Sequence, residues 1–203
     1  MRVRNLKASK NAILNGAERC FVEKGFEGAS VSAIAREAKV TQSLIHYHFG
    51  RKEDLWDEVK RRRFDVCFSK QKDLLLQPMN EELIAQFVTS YFQVFEETPG
   101  LSRLMGWKAM EPDIRQEGQP ETIENEIIRL AVERLQESQE KGFIRKDLNP
   151  SCIVVSMFSM ITHWFNGKDR YFLQEGLDIG PTNADQMYLK NIIKILLGGI
   201  IVK

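Results

Sequence analysis

Apolar residues recur three and four positions apart along almost the whole chain, and no segment shows the period-two alternation that a half-buried strand requires. That spacing restricts the chain to helices packed on helices, so the expected fold class is all-α. Ala12, Ile13, Ala17, Cys20 and Phe21 make the inward stripe of a first helix, closed by the two glycines of "EKGFEG". Ser30 is placed to cap a short second helix with Val31, Ile34, Ala35 and Ala38 inward. After a turn at Lys39 and Val40, Thr41 can cap a third helix that buries Ile45 and Phe49, four residues apart. A longer fourth helix starts in "RKEDLW" and ends before Pro78. Four further helical patterns follow, "NEELIAQFVTSYFQVFEE", "LSRLMGWKAM", "IENEIIRLAVERLQESQEKG" and "CIVVSMFSMITHWF", with a proline-containing loop, "EPDIRQEGQPET", before the third of them. The last pattern is "MYLKNIIKILLGGIIV".

The final two helices are apolar around more than one face, so packing on their own domain would leave hydrophobic surface exposed. Paired with the same helices of a second copy they would form a homodimer interface, for which Met157, Ile161, Trp164, Tyr188, Ile192, Ile193, Leu196, Leu197 and Ile200 are the candidates.

The stretch "VTQSLIHYHFGRKEDL", residues 40–55, concentrates the chemistry. His46 and His48 are two apart, about 200° of helical rotation, so they point to opposite sides and cannot grip one metal ion. His163 is far away in an apolar helix. No GxGxxG, GxxxxGK[ST] or GxSxG signature occurs, and neither metal nor cofactor is expected. A nucleic-acid reading accounts for more. Two short helices joined by a tight turn make a helix-turn-helix, which lays its second helix in the DNA major groove. With Ile45 and Phe49 inward, Gln42, Ser43, His46 and Tyr47 face outward near the end that approaches base edges. Gln can pair with adenine through two hydrogen bonds, Ser can donate or accept, and an aromatic ring can meet a thymine methyl. Thr41, with the free N–H groups of the helix end, suits a phosphate, and Lys52 offers a positive charge for a second one.

Charge supports that end as the polyanion partner. Residues 1–63 hold 14 Lys/Arg and 8 Asp/Glu, whereas residues 64–203 hold 15 and 20. No apolar run reaches the roughly 20 residues of a membrane span, and the basic start turns polar where a signal peptide would need an apolar core. A cytoplasmic protein without membrane partners is expected. Cys20, Cys67 and Cys152 are odd in number and lack CxxC spacing, so reduced thiols are expected in place of a disulfide framework or zinc site.

The stretch "AERCFVEKGFEGASVSAIAREAKVTQSLIHYHFGRKEDL" resembles the DNA-binding domain of the TetR family of bacterial transcriptional regulators, and the likeness runs from about Ala8 to Leu55. It rests on the "F.EKGFEG.SV..IA..A.V" first half and the capped helix ending in "YHF..KEDL". The resemblance implies a homodimer of about nine helices per chain. Residues 1–50 would form a three-helix helix-turn-helix domain, and residues 51–203 a helical effector-binding and dimerisation domain. The implied function is ligand-responsive regulation, most often repression, at a palindromic double-stranded DNA operator. By the same resemblance Gln42, Ser43 and Tyr47 take base-contacting places, while Ser30, Thr41, His46, His48 and Lys52 take backbone-contacting or orienting places. Three residues depart from the family pattern: Lys39 stands for the usual turn glycine, Leu44 for a small polar residue and His46 for a tyrosine. For the effector, pockets are mostly apolar with few polar groups, so a largely apolar or aromatic small molecule is expected. Phe92, Phe95, Met105, Trp107, Met110, Ile127 and Leu130 are the candidates to contact it. The competing expectations are an all-helical small-molecule enzyme without DNA affinity and a helical interaction module.

Overall fold

The computed structural model describes residues 2–110, 122–174 and 182–202, with side chains from residue 6 onward. Among these residues there are nine helices: α1 (Arg2–Gly28), α2 (Val31–Ala38), α3 (Gln42–Phe49), α4 (Lys52–Leu75), α5 (Glu81–Glu97), α6 (Leu101–Ala109), α7 (Ile123–Glu140), α8 (Pro150–Tyr171) and α9 (Ala184–Ile200). The only extended pairing among them is one antiparallel bridge between Ile144 and Ile201. The all-α expectation therefore holds. The loop expected over 111–122 lies, apart from Thr122, outside the described residues. The chain divides into two compact units, Met1–Val66 with Gly100–Glu117, and Cys67–Pro99 with Gly118–Lys203.

The first unit packs α1, α2, α3, the start of α4, and α6. Its core is the stripe that the spacing predicts: Ile13, Ala17, Phe21, Ile34 and Ile45 are almost fully buried, joined by Leu55, Trp56 and Val59 of α4. Each large aliphatic or aromatic side chain so buried stabilises the unit by about 1.5–3 kcal/mol. Phe21 meets Trp56 edge-on at 4.7 Å between ring centroids. The helical run of α1 is broken at Gly25, where φ is 71°. A Cβ at that position would lie 2.9 Å from the ring of Trp107, so the glycine serves both the left-handed backbone and the seating of α6 on α1. The indole N–H of Trp107 points to the Val22 carbonyl at 3.5 Å.

The turn between α2 and α3 shows why the lysine at 39 matters. Lys39 occupies the left-handed region, φ 55° and ψ 43°, as the C-cap of α2. The Val40 N–H then closes on the Ala35 carbonyl at 3.0 Å and completes the helix end. The turn is made although its residue carries a Cβ, which costs about 1 kcal/mol relative to glycine.

In the second unit α5 buries more than one face, including Leu83, Phe87, Val88, Tyr91, Phe92 and Phe95. Tyr91 lies 4.7 Å from Phe158 and stacks on Phe68 at 5.7 Å. Burial, with a smaller contribution from Glu124, pushes its phenol pKa up, so it remains protonated. Gln71 of α4 is completely buried and donates from Nε2 to Ser90 Oγ at 3.2 Å. Trp164 of α8 stacks on Tyr188 of α9 at 4.1 Å and donates to Asp185 at 2.7 Å, which also receives Lys168 at 2.6 Å.

This packing corrects the residue-level expectation for the dimer face. Met157, Ile161, Trp164, Ile192, Leu196 and Ile200 are buried inside the protomer, and Tyr188, Ile193 and Leu197 are half-buried. Burial in the protomer's own core removes the first six as an outward surface. The outward stripes of the same helices are Cys152, Val155, Ser156, Ser159 and His163 on α8, and Met187, Asn191, Ile195 and Gly198 on α9. Val155 is 59% and Ile195 64% exposed.

The left-handed Lys39 generates a stability prediction. Lys39→Gly raises the unfolding free energy of the reader by about 0.5–1 kcal/mol, less whatever the glycine adds to the unfolded chain's entropy. Chemical denaturation with unchanged m-value checks it; equal or lower stability contradicts a strained lysine.

Candidate nucleic-acid interface

Thr41 starts α3 with extended backbone, and its Oγ1 accepts the Leu44 N–H at 3.3 Å. The Ser43 hydroxyl donates to the same Oγ1 at 3.1 Å, leaving the serine oxygen able to accept. Gln42, Ser43, His46 and Tyr47 are all exposed, whereas Ile45 is buried. Gln42 and His46 stand one turn apart, as do Ser43 and Tyr47, so the four form two adjacent rows on one face. Tyr47 is 71% exposed, its ring meeting that of His48 edge-on at 5.3 Å.

The flanking groups divide by what they touch. Ser30 accepts the Ala33 N–H at 3.2 Å and so caps α2. His46 donates from Nδ1 to the Gly50 carbonyl at 2.8 Å and ties off the end of α3. With that nitrogen protonated, Nε2 of the neutral ring is an acceptor and donates to a phosphate only as imidazolium. His48 turns the other way. The Ser9 hydroxyl donates to the Leu6 carbonyl at 2.9 Å and therefore accepts from His48 Nε2, also at 2.9 Å. The two histidines thus hold different elements, as their two-residue spacing requires. Ser9 is a positioning residue that sequence reasoning missed; a partner 39 positions away leaves no local signal.

Lys52 is less free than its sequence position implies. Its ammonium donates to the Phe26 carbonyl at 2.9 Å and lies 4.1 Å from the Phe26 ring centroid. Of its three N–H donors the remaining ones are available for a phosphate. The arginines of α4 are held within the unit: Arg61 pairs with Glu58 at 2.7 Å, Arg63 with Glu18 at 2.8 Å, and Arg62 donates to Asn15 at 2.9 Å.

The effector candidates divide between the two units. Met105, Trp107 and Met110 lie on or beside α6 in the first unit, while Phe92, Phe95, Ile127 and Leu130 lie in the second. The second unit contains a cavity of about 50 Å³ among α4, α5, α7, α8 and α9, lined by apolar side chains such as Leu75, Met79, Phe87, Leu135 and Met157. An open groove of about 570 Å³ runs between α4 and α5 past Lys70, Asp73, Leu74, Ala85 and Gln93. None of the seven candidates lines either space. Periodicity identifies inward positions but not which of them leave a void. Cys20 and Cys67 are buried and Cys152 is exposed, all three as free thiols; burial, then Glu37, pushes the Cys20 pKa up.

A capped short helix with a polar outward face, seated on two others, defines a helix-turn-helix transcriptional regulator. The comparisons with known proteins agree. The profile described as "Bacterial regulatory proteins, tetR family" matches residues 13–59, and "Tetracyclin repressor-like, C-terminal domain" matches residues 84–183. The chain belongs to the TetR family and is a ligand-responsive, DNA-binding repressor, not an enzyme; the dimer is the assembly typical of that family. It is 26% identical over 194 residues to the HTH-type transcriptional repressor KstR2 of Mycolicibacterium smegmatis, covering 94% of this chain and 90% of the relative. Over 48 residues it is 44% identical to the HTH-type transcriptional repressor AcnR of Corynebacterium glutamicum, 24% of this chain and 26% of that one. Its fold matches the fatty acid degradation regulator FadR from Bacillus halodurans with a TM-score of 0.64 at 21% identity, covering 93% of this chain and 98% of that one. The ketosteroid transcriptional regulator KstR2 of Mycobacterium tuberculosis matches with a TM-score of 0.62 at 19% identity, over 96% and 95%. No described helix is long and apolar enough to cross a membrane.

The geometry separates two kinds of variant. Gln42→Ala and Tyr47→Ala, the latter at the loss of an edge-on contact with the His48 ring at 5.3 Å, cost about 1–3 kcal/mol at the operator and flatten preference at particular base pairs, while leaving non-specific binding nearly unchanged. Lys52→Ala lowers the melting temperature through loss of the Phe26 contacts and reduces the salt slope by about 1 per phosphate contact. Fluorescence anisotropy across salt concentrations, on operator and scrambled DNA, checks both; full operator preference in folded Gln42 and Tyr47 variants contradicts base reading by this face.

Proposed function

We propose that the protein represses transcription as a homodimer that places the α3 helix of each subunit in the major groove of a palindromic operator. Gln42, Ser43 and Tyr47 read base edges; Ser30, Thr41, His46 and Lys52 address the backbone; and His48 orients the helix. The observation that carries this reading is the coexistence, on one eight-residue helix, of the buried anchor Ile45 and three exposed side chains, Gln42, Ser43 and Tyr47, able to contact bases. The small-molecule effector acts on the second unit and is largely apolar, a reading supported by the aliphatic lining of the cavity there. KstR2 of Mycobacterium tuberculosis is described as a ketosteroid regulator and FadR of Bacillus halodurans as a fatty acid degradation regulator, so similar folds serve regulators of apolar metabolites. Selection of bound fragments from genomic DNA by the purified protein tests the reading: a recovered palindrome supports it, and absence of any enriched sequence overturns it.

Dimerisation is assigned to the outward stripes of α8 and α9. Val155 and Ile195 supply apolar area, and Ser156, Ser159 and Gly198 let helices approach closely. Val155→Glu or Ile195→Glu yields a folded monomer that binds operator far more weakly, because one half-site alone lacks the effective concentration of two linked readers. Sedimentation velocity at micromolar concentration checks it; a dimer that survives both substitutions moves the interface elsewhere.

A further inference from the structure

The cavity of the second unit is enclosed by apolar side chains, and its walls say what it can hold. Leu75, Met79, Phe87, Ala131, Leu135 and Met157 are among its walls, and no polar side chain lines it. A dry cavity of this kind offers nothing to a polar group but lowers the free energy of any hydrocarbon moved into it from water. At about 50 Å³ it is narrow. Widening it falls to Met79 and Met157, whose unbranched thioethers rotate easily. A slender methylene chain can thread such a space, whereas a fused-ring body would have to displace whole helices.

One charged group stands at its edge. Arg134 of α7 lies between the wall residues Ala131 and Leu135 in sequence and donates from Nη2 to the Gln77 carbonyl at 2.7 Å. Gln77 belongs to the turn that carries the wall residues Leu75 and Met79. The guanidinium is therefore fixed beside the α4–α5 turn, which also carries the wall residue Met79. Its Nη1 holds Glu137 at 2.5 Å, but its Nε–H is buried and has no hydrogen-bond acceptor among the described residues. A buried donor left without an acceptor is costly, and a carboxylate is the acceptor that a guanidinium matches best.

We propose that this cavity and Arg134 together form the effector site for an unbranched aliphatic carboxylate, with the chain among Met79, Phe87, Leu135 and Met157 and the carboxylate on the guanidinium. The assignment rests on the reading of the second unit as the effector domain and specifies its ligand class. Arg134 discriminates the head group, while the cavity sets only that the body be hydrocarbon and slender.

The test uses the full chain, with decanoate and 1-decanol as probes and calorimetric titration as the measurement. Decanoate should bind at least tenfold more tightly than decanol. Arg134→Gln should remove that difference, weakening decanoate and leaving decanol unchanged, a selectivity that mere loss of structure would not produce. Ala131→Leu, which fills the cavity, should weaken both at least tenfold; should it not fold, Val154→Phe tests the same space. Failure of the folded protein to bind either probe, equal binding of the two, or full decanoate affinity in a folded Ala131→Leu or Arg134→Gln variant would each overturn the assignment. Operator binding is measured on the same samples without probe. Its loss would instead overturn the DNA-binding reading, so the two failures are distinguishable.

Discussion

A helix of eight residues does not persist in water by itself, because nucleation fixes several residues before the hydrogen bonds that reward it accumulate. The helix α3 has eight residues, and the reader depends on the contacts that hold it in place. Thr41 satisfies a free N–H at one end, and His46 closes the other on Gly50. Ile45 locks the middle into the core formed with α1 and α2, and His48 ties the flank to Ser9. Every one of these groups points inward or along the helix. The exposed side chains share in this only locally: Ser43 donates to Thr41 and the Tyr47 ring meets that of His48 edge-on. The left-handed Lys39 belongs to the same set of constraints: it ends α2 and turns the chain toward the cap of α3.

Charge acts on a different scale. The surplus of Lys and Arg in residues 1–63 biases the reader toward a polyanion at long range, screened beyond about 10 Å at ordinary salt. Close up, much of that charge is already committed. Arg61 and Arg63 are paired with carboxylates, and Lys10 meets Glu58 at 3.2 Å. Glu58 is held below the ordinary carboxylate range by Arg61 and Lys10 even though partial burial, the largest single influence on it, acts in the opposite direction. These surface pairs contribute little to stability, so the run "RRR" reads as helix-surface pairing and not as a phosphate clamp. Lys52 combines the two roles: it binds α4 to the end of α1 and still presents donors outward.

The second unit is governed by competition for apolar side chains. Residues that make α8 and α9 look apolar on all sides are used up by the protomer's own core, and Trp164 stacked on Tyr188 shows how thoroughly. What is left outward is a mixed stripe of small, polar and a few aliphatic residues. Inside, the large side chains of α5 meet those of α8 closely around Tyr91, yet the aliphatic residues nearer the α4–α5 turn do not quite fill the space they enclose. Such imperfect packing costs stability.

The sequence by itself determined the helices, the turn that joins α2 to α3, and the outward set Gln42, Ser43, His46 and Tyr47. Each of these follows from spacing within a few residues: a cap three positions from the N–H it meets, a buried residue four positions from the next, an exposed face by difference. Only the tertiary structure decided which of the apolar residues in α8 and α9 face inward, where the cavity lies, that Trp107 rests on the kink at Gly25, that His48 holds Ser9, and that Lys52 holds Phe26. The physical reason is common to all of them. Hydrophobic burial is non-directional, so two apolar positions on different faces are equivalent until a neighbouring element arrives, and a hydrogen bond between residues far apart in the chain exists only after the packing that brings them together.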